Sequence, residues 1–259
     1  MQGMRLITIP LSHYCERARW ALDRVGLSYH EDQHLQAFHI RAVKRAGGTR
    51  MVPVLVTPDG GVVEDSAEIV RYADLHSQNG TRLYPKDSGQ RAEVEALERQ
   101  LEGAYGYEVR RLGYDVWLSH RAVLLRYNSA DAPRFESASV RVLFPAMRRV
   151  VTRMYKINDE TVARGRELVE GVLSEIATRL EDGRRYLVGD QLTAADITFA
   201  AMSALLIWPK NYGVPVPSLD EMPEGPRQET IAWRRHPALR FALRLYEERW
   251  PPGHVVNAV

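Results

Sequence analysis

A single cysteine, Cys15, stands among 259 residues. That scarcity excludes a disulfide framework within the chain and favours a reducing compartment. Long apolar runs are missing as well. The longest, residues 197–208, is too short to cross a bilayer as a helix. The start of the chain lacks the layout of a secretory leader, so a cytoplasmic protein without a membrane partner is expected. Net charge is low, at +2. The arginines alternate with acids, as in Glu93, Glu95, Glu98 and Arg99, or Arg164, Arg166 and Glu167. That pattern describes solvated helix faces, and no nucleic-acid partner is expected. What the chain does have, 45% hydrophobic residues over this length, is comfortable for two domains.

Residues 4–26 (MRLITIPLSHYCERARWALDRVG) organise the first of them. Leu6 to Ile9 is short, apolar and β-branched, the pattern of a buried strand ended by Pro10. A polar turn, Ser12-His13-Tyr14, follows. From Cys15 the spacing changes: Ala18, Ala21, Leu22 and Val25 share one helix face, and Gly26 stands where helices commonly stop. The free N–H groups of such a helix start suit an anion or a thiolate. Residues 27–35 read as a second strand, and 36–50 as polar loop with at most one helical turn. Residues 52–56 form a third strand with Pro53 at its start. Asp59-Gly60-Gly61 makes a hairpin turn, and Val62-Val63 opens the partner strand. Asp65-Ser66 then enters a helix with Ala67, Ile69, Val70 and Ala73 on its apolar face. Pro53 fits either an edge strand or a cis bond. Asp65 and Ser66 fit either a plain N-cap or a ligand contact.

A Gly/Pro/Asn/Ser-rich stretch closes this region, and everything after it reads as helical. Residues 90–127 are a long amphipathic stretch with possible breaks at Gly103, Gly106 or Gly113. Residues 138–157 carry Pro145 as a kink or start, and 160–180 put Val169, Val172, Leu173, Ile176 and Leu180 on one face. In LTAADI, Thr193 and Asp196 form a capping-box arrangement, with Leu192 and Ile197 as its staple. The uncharged helix that follows is the expected buried centre of a bundle. Residues 208–229 are a proline-rich insert, placed to cover a cleft or a subunit face. A last helix over 237–249 is expected to pack outside, with Trp250-Pro251-Pro252 opening the tail.

Four of these segments, in order, resemble the cytosolic glutathione S-transferase superfamily, in its serine- and cysteine-type classes: SHYCERARWAL, MVPVL, EDSAEI and LTAADI. The resemblance implies an α+β fold, a thioredoxin-like domain (βαβ-ββα) at 1–77, a linker at 78–89 and an all-helical domain at 90–259. It implies glutathione as co-substrate, no metal, a small hydrophobic electrophile and a homodimer. By position, Ser12 donates a hydrogen bond to the glutathione sulfur, with Tyr14 as competing hydroxyl and Cys15 as either a packed thiol or the working group. Val52, before a cis-Pro53, pairs with the cysteinyl backbone, Asp65 and Ser66 hold the γ-glutamyl end, and His39 meets the glycyl carboxylate. Tyr107 and Trp117 are candidates for the electrophile pocket. His13 departs from the usual proline, Asp65 from the commoner glutamate, and Ser12 from the first cysteine of a C-x-x-C motif. Conjugation is the implied activity; a glutathione-dependent reductase or peroxidase and a non-catalytic interaction module are the alternatives.

Overall fold

The computed structural model describes residues 3–250. Strands β1 (Met4–Thr8), β2 (Tyr29–Gln33), β3 (Val54–Val56) and β4 (Val62–Glu64) form one sheet in the order β2-β1-β3-β4. The β1–β2 pair is parallel, and α1 (His13–Arg24) is the crossover that a parallel pair requires. The other two pairings are antiparallel. After β4 comes α3 (Ser66–Leu75), which packs against α1.

The expected βαβ-ββα order is present with one helix more. α2 (His39–Arg45) occupies the stretch read as loop. Its one buried residue, Val43, joins Ile7 and Val54 in a small cluster. One apolar anchor in two turns leaves no periodicity to read, and Lys44 and Arg45 favour the last turn through the helix dipole. The second strand is shorter than the expected 27–35.

The helical domain contains α4 (Ser88–Gln100), α5 (Gly106–Trp117), α6 (Arg121–Asn128), α7 (Arg134–Met154), α8 (Asp159–Arg179), α9 (Ala194–Ile207), α10 (Glu224–Arg234) and α11 (Pro237–Glu247). The stretch 90–127 is therefore three helices. The first break is a wide turn, Leu101–Tyr105, in which Gly103 has a non-helical ψ of −112°. Gly113 lies inside α5 without breaking it. α7 starts at Arg134 rather than 138, and Pro145 sits inside it.

α9 is buried along nearly its whole length and packs on α1, α4, α5, α10 and α11. Its capping box is formed: Asp196 accepts from the Thr193 N–H and hydroxyl, each at 2.8 Å, and from the Leu187 N–H at 2.8 Å. Burial pushes the Asp196 carboxyl up to about 6, against those bonds. α11 is no outer helix. Ala238, Leu239, Ala242, Leu245 and Tyr246 share one face and bury it against α9. The insert folds back on α1: the Gly213 N–H donates to Glu16 at 3.0 Å, and Tyr212, Val214 and Met222 are buried. Pro251 and Pro252 lie outside the described residues. One continuous hydrophobic core runs from the sheet-facing side of α1 through α9, so the two domains share an interior.

Candidate active site

Strand register brings the site together. Ile7 pairs with Val54, Val54 with Glu64, and Thr8 with Gln33. The exits of β1, β2 and β4 and the entry of β3 therefore meet at one edge of the sheet. Ser12, Val52, Pro53, Asp65 and Ser66 each lie a few residues beyond it, as does His39 after β2. The Val52–Pro53 bond is cis.

Ser12 is the N-cap of α1. Its half-exposed hydroxyl accepts from the Cys15 N–H at 3.5 Å. A hydroxyl that accepts from the helix keeps its own proton to donate. Cys15 is fully buried, with its sulfur 3.5 Å from the Ile9 N–H, and burial pushes the thiol up despite the opposing charge of Arg19. Burial thus favours the neutral, packed thiol over the working group. The Tyr14 hydroxyl is engaged by the helical domain. It donates to the Glu102 carbonyl at 2.6 Å, and burial raises it against the Arg110 charge. His13 is buried and bonds the Gly106 carbonyl through Nε2 at 3.1 Å. Because a carbonyl only accepts, the ring carries its proton on Nε2. Burial first, and the Arg110 charge second, hold His13 well below the usual histidine range. The residue that departs from the family pattern thus serves as a tie to the helical domain.

A buried ionic group lies behind Ser66. Arg17 bridges Glu98 at 2.5 Å and Glu102, and reaches the Ser66 hydroxyl at 3.4 Å. Burial opposes the Arg17 charge, and the two glutamates outweigh it. Asp65 is exposed, caps α3 by accepting from the Ala67 N–H at 2.8 Å, and has φ +77°. His39 begins α2, and burial lowers it toward the neutral imidazole.

The aromatic candidates separate. Tyr107 is exposed on α5, near Tyr155. Trp117 is buried and packs edge-on against Trp208, 4.9 Å between ring centres. It lies eleven residues along α5 from Gly106, roughly 16 Å at 1.5 Å per residue. Sequence reasoning missed Arg110, whose guanidinium sits 4.5 Å from the centre of the Tyr14 ring and donates to the Tyr155 hydroxyl at 3.0 Å. An exposed-looking arginine on an amphipathic helix carries no signal of that role.

Among the described residues, no three metal-ligating side chains converge, and no helix is long and apolar enough to cross a membrane. No curated protein matches the sequence. Solved structures do match along the full length. A glutathione S-transferase from Methylobacillus flagellatus, with glutathione bound, aligns at 18% identity over 96% of this chain and 100% of its own, with a TM-score of 0.59. One from Rhodospirillum rubrum aligns at 23% identity over 95% and 99%, TM-score 0.55. The β-etherase LigF from Sphingobium sp. aligns at 18% identity over 96% and 100%, TM-score 0.59. At these identities the likeness is one of fold. The family models for the glutathione S-transferase N-terminal and C-terminal domains match residues 6–80 and 159–227, together more than half of the sequence. With both domains matched in order on a thioredoxin-like sheet and a helical bundle, the chain belongs to the glutathione S-transferase superfamily.

Proposed function

We propose that this chain binds glutathione at the sheet edge and transfers its thiolate to a small apolar electrophile. The observation that supports it most is the Ser12 hydroxyl at the start of α1, beside the entries of β3 and α3. Its free proton donates to the sulfur, and the α1 dipole adds to the stabilisation. One such bond to a charged acceptor contributes about 1.5–3 kcal/mol, roughly one to two pKa units of thiol acidity. The residues fit the rest of the tripeptide. The exposed Asp65 carboxylate suits the γ-glutamyl ammonium, and the Ser66 hydroxyl at the start of α3 suits its carboxylate. Arg17 steadies Ser66 from behind. The Val52 backbone takes the cysteinyl unit, and a neutral His39 serves the glycyl carboxylate as a hydrogen-bond donor. The thiolate attacks the electrophilic carbon, a C–S bond forms, and the leaving group departs with its electron pair.

The electrophile would enter beside the Ser12 turn and the start of α5, near Tyr107 and Arg110. The reading includes a cytoplasmic homodimer. Exposed Leu143, Val150 and Met154 on one flank of α7 support a subunit contact.

Calorimetric titration with glutathione, followed by conjugation assays on wild type and Ser12→Ala, tests this reading. We expect binding in both proteins and a conjugation rate about ten- to hundred-fold lower in the variant, the loss of one charge-assisted bond. Absence of glutathione binding would leave a non-catalytic module. Thiol–disulfide reduction that depends on Cys15, without conjugation, would move the protein to the reductase class.

A further inference from the structure

Arg110 is half-buried on α5, one helical turn beyond Gly106, about 6 Å along the axis. His13 bonds the Gly106 carbonyl, so this part of α5 lies against the Ser12 turn. The Arg110 guanidinium sits 4.5 Å from the centre of the Tyr14 ring, two residues past Ser12. Tyr155, just past the end of α7, closes the other side. Its hydroxyl accepts from Arg110 at 3.0 Å, and its ring centre lies 5.8 Å from the guanidinium carbon. Tyr107 and Tyr114 approach the same Tyr155 ring, at 5.6 and 5.0 Å between centres. Arg110 is thus surrounded by phenol rings from α1, α5 and the end of α7.

The charge in this setting lacks a counter-ion. Among the described residues, no carboxylate oxygen lies within 4.0 Å of Arg110, whereas the next residue, Arg111, pairs with Glu108 at 2.7 Å. The groups around Arg110 do not supply the missing charge. Burial raises Tyr14 and pushes Tyr114 up to about 12, so both phenols keep their protons. His13 is held in its neutral form. Among the described residues, the bond to Tyr155 is the one hydrogen bond Arg110 makes, which leaves most of its five N–H donors unused. A guanidinium taken out of water costs free energy, and ring faces with one hydroxyl return only part of it. A carboxylate accepts two of those N–H groups at once and brings the absent charge.

We propose that the electrophile carries a carboxylate on its small apolar body, and that Arg110 selects it by pairing with that carboxylate. The body then rests on the rings of Tyr14 and Tyr155, with its reacting carbon toward Ser12. This inference rests on the conjugation reading above and narrows its substrate class. In the reaction the thiolate sulfur forms a bond to the carbon, the halide or other leaving group departs with its electron pair, and the carboxylate is unchanged. Arg110 therefore sets specificity. Its pair with the carboxylate is the same before and during the reaction, so its contribution falls on KM more than on kcat.

The probes are 4-(chloromethyl)benzoate and its methyl ester, each assayed with glutathione and the full chain and divided by its uncatalysed rate. In the wild type kcat/KM should favour the carboxylate by about tenfold or more, the effect of one charge-assisted pair. Arg110→Met should abolish that preference, with the loss in KM for the carboxylate, and Arg110→Lys should restore part of it. Should Arg110→Met fail to fold, Arg110→Gln keeps a donor for Tyr155 without the charge and should show the same loss. A second arm does not depend on conjugation. The unreactive 4-methylbenzoate, followed by NMR titration, should bind the wild type more tightly than 4-methylbenzamide does, and Arg110→Met should erase the difference. If neither chloride is conjugated but this arm succeeds, the transferase reading falls and the carboxylate site at Arg110 stands. Equal kcat/KM for acid and ester, a preference that survives Arg110→Met and Arg110→Gln, or 4-methylbenzoate binding indifferent to Arg110 would each overturn the proposal.

Discussion

The Tyr14 phenol donates to the Glu102 carbonyl at 2.6 Å, across the boundary between the two domains. In an unbroken helix that carbonyl would accept from the Gly106 N–H. The wide turn at Leu101–Tyr105 sends the Gly106 N–H to the carbonyls of Leu101 and Gly103 instead, which frees the Glu102 oxygen for Tyr14. His13 then takes the Gly106 carbonyl itself. The turn that carries Ser12 is thus fastened to the break between α4 and α5.

Tyr14→Phe should therefore act mainly on stability. It strands a part-buried carbonyl, at a cost of about 1–3 kcal/mol. Urea denaturation should show that loss while kcat/KM for conjugation stays within a few-fold of wild type. A collapse of kcat at unchanged stability would instead make the phenol the thiol's donor.

Gly106 allows the close approach. A Cβ there would stand 2.8 Å from Met202 Sδ, 2.9 Å from Tyr14 Oη and 3.1 Å from the Leu101 carbonyl. The thioether can shift, but the backbone cannot. Gly106→Ala should destabilise by about 1–3 kcal/mol through overpacking. Gly171→Ala in α8, whose Cβ meets nothing within 4 Å, should stabilise by about 0.5–1 kcal/mol. Thermal melts of the pair test the distinction, and equal shifts would remove the steric argument.

Arg17 and Glu98 are both buried behind Ser66, at the inner wall of the proposed γ-glutamyl site. Arg17→Met leaves the Glu98 carboxylate unpaired and should cost about 3–5 kcal/mol. Adding Glu98→Leu should recover much of that stability, because the stranded charge is gone. Glutathione affinity should remain reduced in the double variant, since Ser66 loses its support in either case. Full recovery of affinity would show that Arg17 contributes only to folding.

His13 makes stability depend on pH on the acid side. Its folded-state proton affinity is lowered, so the unfolded chain binds the proton first as pH falls. The stability is complete above about pH 6.5 and declines below it, by up to about 1.4 kcal/mol per pH unit for one group. His13→Gln, which can still donate to Gly106, should flatten that slope between pH 6.5 and 5. Superimposable slopes for the two proteins would mean that His13 does not titrate differently in the two states.

What the sequence determined by itself is local. The strand, turn and helix start at 4–26, the Asp65 cap and the Thr193–Asp196 box are each settled by groups a few residues apart, whose hydrogen bonds and apolar spacing need no distant partner. These three, with the proline-bearing strand at 52–56 in its place between them, were enough to read the two-domain architecture. α2 escaped because one buried valine leaves no period, and the break at Gly103 was visible only as one of three glycines.

Tertiary structure alone decided how the turn residues divide their work. Ser12, Tyr14 and Cys15 are near neighbours with plausible chemistry, and only packing separates a half-exposed cap, a phenol turned to Glu102 and an enclosed thiol. His13 meets Gly106 across 93 positions, Arg17 meets Glu98 across 81, and Glu16 meets Arg249 across 233. Trp117 and Tyr107 share a helix, but one faces the core and the other solvent. Long-range partners are chosen by the docking of whole elements, and that docking depends on the combined apolar faces of α1, α5 and α9. No single segment encodes it, which is why the fold could be read from the sequence and the division of roles at the site could not.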